Sequence, residues 1–267
     1  MPTIDPLRLK TQLQQCFAFR SDPTQLLNAL IELLENYSDR AYRPSTATAL
    51  PSPVKSFHVP PALLRAITRE LANLTRSQPA QALSLAQMLW EQPIHECKQL
   101  GIAILENLPL TMHEQLFQTL EQWVSTSNSP KLAELIAQSA LTNFQLRQPV
   151  SLLEQTQKWL RDERVPVRNF GFLVLEQVSL TISFQDFPLV LKVISPYLKR
   201  CPPQNFAAFT AICNNLITKS PKEMAHLMRT VLQENPTAQL KKLIRSCLKT
   251  FPPELQKDLL TAIQERT

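Results

Sequence analysis

Cys97-Lys98-Gln99-Leu100-Gly101-Ile102-Ala103-Ile104-Leu105-Glu106 reads against Val167-Arg168-Asn169-Phe170-Gly171-Phe172-Leu173-Val174-Leu175-Glu176, and these two segments hold the chain's only glycines, 70 residues apart. The chemistry recurs position by position: apolar, basic, amide, apolar, Gly, then an apolar run to a shared Leu-Glu. Glycine inside a helix costs about 1 kcal/mol relative to alanine, so two at one register point to a requirement for close packing or for access. An internal repeat is the simplest source of such a match.

The tryptophans fit the same frame. Trp90, Trp123 and Trp159 each end an apolar helical run, and they are spaced by 33 and 36 residues. A short polar loop with a proline (Pro93, Pro130 or Pro166) follows each, and then a second helical run. Two helices repeating at about 35 residues are the unit of helical solenoids, which bury apolar faces against neighbouring repeats. The expected fold is all-α, a HEAT-like helical-repeat solenoid of the α-α superhelix type. Thr3 to Phe19 and Pro23 to Tyr37 read as a first hairpin, with Ser21 or Asp22 placed to cap its second helix. The organisation predicted is an N-terminal helical hairpin over 1–37, a linker or long loop over 38–58 that is rich in Pro, Ser, Thr and Ala, and a repeat domain over 59–267. Prolines such as Pro79, Pro149, Pro203, Pro221, Pro236 and Pro252 mark helix starts, and about fourteen helices are expected in all.

Composition removes several function classes. Two glycines leave no phosphate loop, dinucleotide turn or nucleophile elbow. No apolar run approaches the roughly 18 residues of a membrane span, and Met1-Pro2-Thr3-Ile4-Asp5 lacks the layout of a secretory signal. Five scattered cysteines without Cys-x-x-Cys read as reduced, mostly buried thiols of a cytoplasmic protein. His95-Glu96-Cys97-Lys98-Gln99 falls short of a zinc helix because Gln99 stands where a second histidine is needed, and His113-Glu114 fails likewise at Phe117. No metal and no cofactor is expected.

Charge is unevenly placed. Residues 1–180 carry 16 basic and 16 acidic side chains, whereas 181–267 carry 12 and 6, the whole net +6. That bias suits a polyanionic partner for the last third, or a merely solvated basic surface. Counted from the tryptophans, Lys98, Lys131 and Arg168 recur near the start of three second helices. Stacked repeats would set such cations in a column able to follow a phosphate backbone. Three residues after each stand Gly101, Glu134 and Gly171, so a carboxylate interrupts two positions bare enough to admit a ligand. Glu134 is either a stabiliser of developing positive charge or an ordinary i,i+3 partner of Lys131.

Several stretches resemble the bacterial AlkD-type DNA alkylation repair proteins, HEAT-like glycosylases. His58-Val59-Pro60-Pro61-Ala62-Leu63-Leu64-Arg65 is similar to the family's entry segment, Leu89-Trp90-Glu91-Gln92-Pro93-Ile94-His95-Glu96 to its Leu-Trp turn, and Val165-Pro166-Val167-Arg168-Asn169 lies at its Trp-x-Arg-Arg run. The resemblance implies duplex DNA as partner and cofactor-free release of cationic N3- or N7-alkylpurines. It places Glu134 at the catalytic carboxylate, Arg168 at a phosphate-contacting arginine, and Lys241, Lys242 and Arg245 beside a further DNA contact. The family's aromatic cradle falls near Ser129-Pro130 and Ser246, where no aromatic residue stands. The expectation is therefore a monomeric DNA-binding protein with weak or no base excision, and the alternative is a protein-interaction scaffold on the same fold.

Overall fold

A computed structural model describes residues 5–39, 54–127, 129–181 and 186–264. Among these residues the chain forms fifteen α-helices. They are α1 (Pro6–Phe17), α2 (Pro23–Asn36), α3 (Pro61–Ser77), α4 (Pro79–Glu91), α5 (His95–Glu106), α6 (His113–Thr126), α7 (Pro130–Ser139), α8 (Thr142–Arg147), α9 (Pro149–Leu160) and α10 (Val165–Thr181). After them come α11 (Phe187–Lys199), α12 (Phe206–Lys219), α13 (Pro221–Glu234), α14 (Ala238–Cys247) and α15 (Pro253–Gln264), with short 3-10 turns at Leu110–Met112, Pro203–Asn205 and Leu248–Thr250. No strand occurs among the described residues, and an isolated parallel bridge joins Lys55 to Ile94. The fold is all-α, of the helical-repeat solenoid class.

A chain with 22 prolines and two glycines makes its corners with proline. Gln78, Gln148, Ser220 and Asn235 each precede a proline and adopt nearly one conformation, φ −139 to −149° and ψ 58 to 84°. The proline ring bars its predecessor from helical geometry, so a single residue ends one helix. At Gln78, Gln148 and Ser220 the proline then opens the next helix, where its missing N–H leaves nothing unpaired. Side-chain caps supplement this. Asp22 Oδ1 accepts from the N–H groups of Thr24 and Gln25 at 2.9 and 3.1 Å, and Asp5 and Thr237 cap α1 and α14. Two positions differ from expectation: Pro236 precedes the Thr237 cap of α14, and α15 opens at Pro253. Pro130 and Pro166 lie in the first turns of α7 and α10 and not in loops before them.

The chain forms two compact units, Met1–Trp123 with Ser139–Asn143, and Val124–Gln138 with Phe144–Thr267. In the second, α9, α11, α13 and α15 pack in one row and α10, α12 and α14 in another, which is the two-layer arrangement of a helical repeat. Polar contacts between row neighbours keep the repeat distance. Asn205 Nδ2 donates to Asn169 Oδ1 (3.0 Å), Asn215 Nδ2 to Ser179 Oγ (2.9 Å) and Thr250 Oγ1 to Asn214 Oδ1 (2.8 Å), each across 36 residues.

In the first unit α2 packs on α4 and α3 on α5. The predicted linker is only partly in view, since 40–53 lie outside the described residues. Its end is held by Glu96, which is buried at the start of α5. The Glu96 carboxylate accepts from Ser56 Oγ (2.7 Å), Phe57 N–H (3.1 Å) and His58 N–H (2.8 Å). Burial pushes this carboxyl up, but those donors outweigh it and hold it below the usual range. The anchor thus contributes stability at neutral pH and loses it as pH falls through that lowered value. It also holds His58 at φ 51°, a left-handed conformation unfavourable by about 1–2 kcal/mol for a residue with a Cβ.

Both glycines are buried inside helices with ordinary φ, so space and not conformational freedom requires them. A Cβ at Gly171 would stand 2.9 Å from the Leu160 backbone nitrogen and 3.2 Å from the Trp159 carbonyl carbon. At Gly101 it would meet Ala86 O at 3.1 Å and Trp123 Cη2 at 3.3 Å. This corrects the reading in which the glycines open the backbone to a ligand: each is covered by the helix before it. Gly171→Ala is expected to lower stability by about 1–3 kcal/mol despite alanine's better helix propensity, because the clash is with backbone that has no room to move. Gly101→Ala is expected to be milder. Urea midpoints of the two variants check the order, and an unchanged or raised midpoint for Gly171→Ala contradicts it.

Candidate nucleic-acid interface

The three cations counted from the tryptophans are of two kinds. Lys98, one turn into α5, folds back so that Nζ donates to the Trp90 carbonyl at the end of α4. The ammonium lies 4.5 Å from the centre of the Trp90 ring, which stacks on Trp123 at 4.3 Å with planes 2° apart. Burial lowers the Lys98 pKa. Arg168 does the equivalent in the second unit, where Nη1 donates to the Asp162 carbonyl just past α9 at 3.1 Å. A cation at a helix C-terminus satisfies carbonyls that lack intrahelical donors and complements the macrodipole. Both residues are half-buried in this role. Lys131, in the first turn of α7, is exposed.

Glu134 is exposed as well, on the same helix. Buried Leu132, Ile136 and Ala137 set the rotation of α7, so Ile136 and not Glu134 occupies the covered position that Gly101 and Gly171 hold in their helices. The 33-residue spacing from Trp90 to Trp123 displaces the register that the glycines define. Glu176, the last residue of the second glycine segment, lies half-buried on α10. Its carboxyl is raised, first by burial and then by the charge of Glu134, so two carboxylates from neighbouring helices share one electrostatic environment. The sequence contains the signal for Glu176 in the shared Leu-Glu ending, but its proximity to Glu134 is a matter of packing. Glu106, which holds the equivalent place in the first unit, is also raised by burial.

A cavity of about 220 Å³ opens between the first turns of α7 and α10, lined by Ser129, Pro130, Ala133, Pro166, Asn169 and Phe170. Its wall is mostly apolar, with the Asn169 side chain held by Asn205. Among the described residues no carboxylate lines it.

Lys241, Lys242 and Arg245 all lie on α14. Leu240, Leu243, Ile244 and Cys247 bury one side of this helix and leave Lys242 and Arg245 exposed, with Lys241 intermediate. Lys249 is exposed in the following turn. Residues 235–253 contain these four cations and no carboxylate. Lys242 Nζ stands 5.2 Å from the centre of the Phe206 ring, which braces the stem while the ammonium faces water.

Among the described residues no cluster of His, Cys, Asp or Glu could hold a metal ion, and no helix is long and apolar enough to cross a membrane. All five cysteines are free and buried, and burial pushes Cys16 and Cys97 up to about 12 and Cys201 to about 11, which leaves them as unreactive thiols.

The family described as DNA alkylation repair enzyme matches residues 30–202. No curated protein matches the sequence. The crystal structure of smu.31 from Streptococcus mutans UA159 superimposes with a TM-score of 0.55 at 12% identity, covering 71% of this chain and 93% of that one, and shares the fold. A designed armadillo repeat protein, YIII(Dq)4CqI, aligns with a TM-score of 0.34 at 14% identity over 77% of this chain and 92% of its own.

The carboxylate pair gives a direct test. Glu134→Gln keeps the shape and removes the charge, so the Glu176 pKa is expected to fall toward the ordinary range while staying raised by burial. Carboxyl ¹³C titration by NMR reads this, and an unmoved Glu176 would separate the two groups.

Proposed function

The chain belongs to the DNA alkylation repair enzyme family, and on that footing we propose that it binds duplex DNA through the basic face of α14, with Lys131 and Glu134 of α7 turned toward an alkylated, positively charged base. The observation that carries this reading is the run from 235 to 253, four cations without a carboxylate, with Lys241, Lys242 and Arg245 on a helix whose other side is buried and Lys249 in the turn after it. Exposed cations such as Lys242, Arg245 and Lys249 suit phosphates, because neutralising each phosphate releases condensed counterions and affinity follows without sequence choice. Glu134 and Glu176 contribute negative potential where a cationic purine and an electron-poor sugar would gain most from it.

Excision, in this reading, is weak at most. Ser129-Pro130 and Ser246 offer no aromatic faces to brace an exposed nucleotide, and a glutamate at 134 sets its carboxylate about one methylene further out than an aspartate would. Small displacements of a catalytic group cost on the order of 100-fold in rate. Lys98 and Arg168, tied to helix ends, act mainly by holding the repeats that carry these residues.

Fluorescence-anisotropy binding to a short duplex across a salt series tests the proposal. A log–log slope of about −3 or steeper is expected. Lys242→Glu with Arg245→Glu is expected to flatten that slope by about two and weaken binding about tenfold or more at low salt. The same affinity and slope in the double variant would remove α14 from the DNA surface.

A further inference from the structure

A second cavity lies in the first unit. It measures about 680 Å³ and runs between α1 and α3. Pro6 and Phe17, the two ends of α1, both line it, so the groove extends along about 18 Å of helix, or three turns. It carries an apolar strip: Leu9, Leu13 and Phe17 recur every fourth residue along one side of α1, and the small side chain of Ala66 stands on α3. Lys10, Arg20 and Arg69 stand at its walls against a single carboxylate, Glu70. All three cations are exposed, and among the described residues none of them forms an ion pair.

We propose that this groove docks an acidic amphipathic helix of a partner protein. Leu9, Leu13 and Phe17 recur at the spacing of a helix's own apolar stripe, so a second helix laid along α1 would set its apolar residues between them. Lys10, Arg20 and Arg69 would then meet carboxylates on the flanks of that stripe, which gives orientation and selects against basic helices. Duplex DNA fits poorly, because a phosphate backbone gains nothing from an apolar strip, whereas a leucine-bearing helix gains about 25 cal/mol for each Å² it buries there. All of α1 lies outside the family-matched span, which begins at residue 30. One wall of the groove thus precedes the matched span and the other, α3, lies within it.

The probe is a labelled synthetic helix of about 16 residues, with leucines at i, i+3, i+4 and i+7 and glutamates elsewhere. Two controls accompany it, one with lysine for glutamate and one with the leucines scrambled. Anisotropy with the intact protein is expected to show the acidic peptide binding about tenfold or more tightly than either control. Arg20→Glu with Arg69→Glu, both at exposed positions, should reverse the charge preference while duplex binding is unchanged. Ala66→Phe, which fills the groove without altering charge, should weaken the acidic peptide by a similar factor. Equal affinity for the three peptides would overturn the proposal, as would indifference to these substitutions. Displacement of the peptide by duplex DNA would assign the groove to the nucleic-acid surface and overturn it too. Self-association of the protein that the same substitutions abolish would assign it to a second copy, with the same consequence.

Discussion

Where a helix with tryptophan in its last turn ends, the helix that follows presses onto it so closely that glycine leaves the least crowded fit at two positions. Gly101 lies against the backbone of α4 and Gly171 against the last turn of α9, each at the limit of van der Waals approach. A cation from the second helix then secures the carbonyls at the end of the first, Lys98 at Trp90 and Arg168 at Asp162. Contact and cap act together: the glycine sets the distance between the helices, and the long side chain satisfies the backbone groups that this distance leaves without water. Polar side-chain contacts between neighbours in the α10, α12 and α14 row recur at 36 residues beside it.

From this packing comes a division of labour among the charged residues. Those that hold the repeats are buried or half-buried and bonded to main chain: Lys98, Arg168 and Glu96, which anchors the end of the linker segment from α5. Those left for a partner stand exposed, Lys131 and Glu134 on α7, Lys242 and Arg245 on α14, and Lys10, Arg20 and Arg69 around the groove of the first unit. A surface cation and a polymer of phosphates gain from each other mainly through counterion release, so the exposed residues of α7 and α14 carry the proposal of DNA binding, while those around the groove carry the proposal of a partner helix. The inward set carries stability.

The fold was largely legible because its signals are local. Tryptophan spacing, proline at first turns and the Asp22 cap each depend on residues a few positions apart, and the structure places helices where they point. The candidate site was legible only in its inventory. Lys98 and Lys131 look alike when counted from tryptophans, yet one folds back onto a carbonyl and the other faces water. That difference lies in helix rotation, which the shortened spacing between Trp90 and Trp123 alters. Glu176 was in plain view as the residue that closes the repeated segment, but its relation to Glu134 exists only once α7 and α10 pack together. The glycine register carried a true constraint and a wrong purpose, for covering by a neighbouring helix and access for a ligand ask the same of the sequence.

Lysine acetylation footprinting, with and without a saturating short duplex, tests the central claim most directly. The account predicts that Lys242 and Lys249, with Lys131, lose reactivity when DNA is bound, while Lys10 beside the α1 groove keeps it. Lys242 and Lys249 equally reactive in the presence of bound duplex would contradict it, whatever the affinity of the complex.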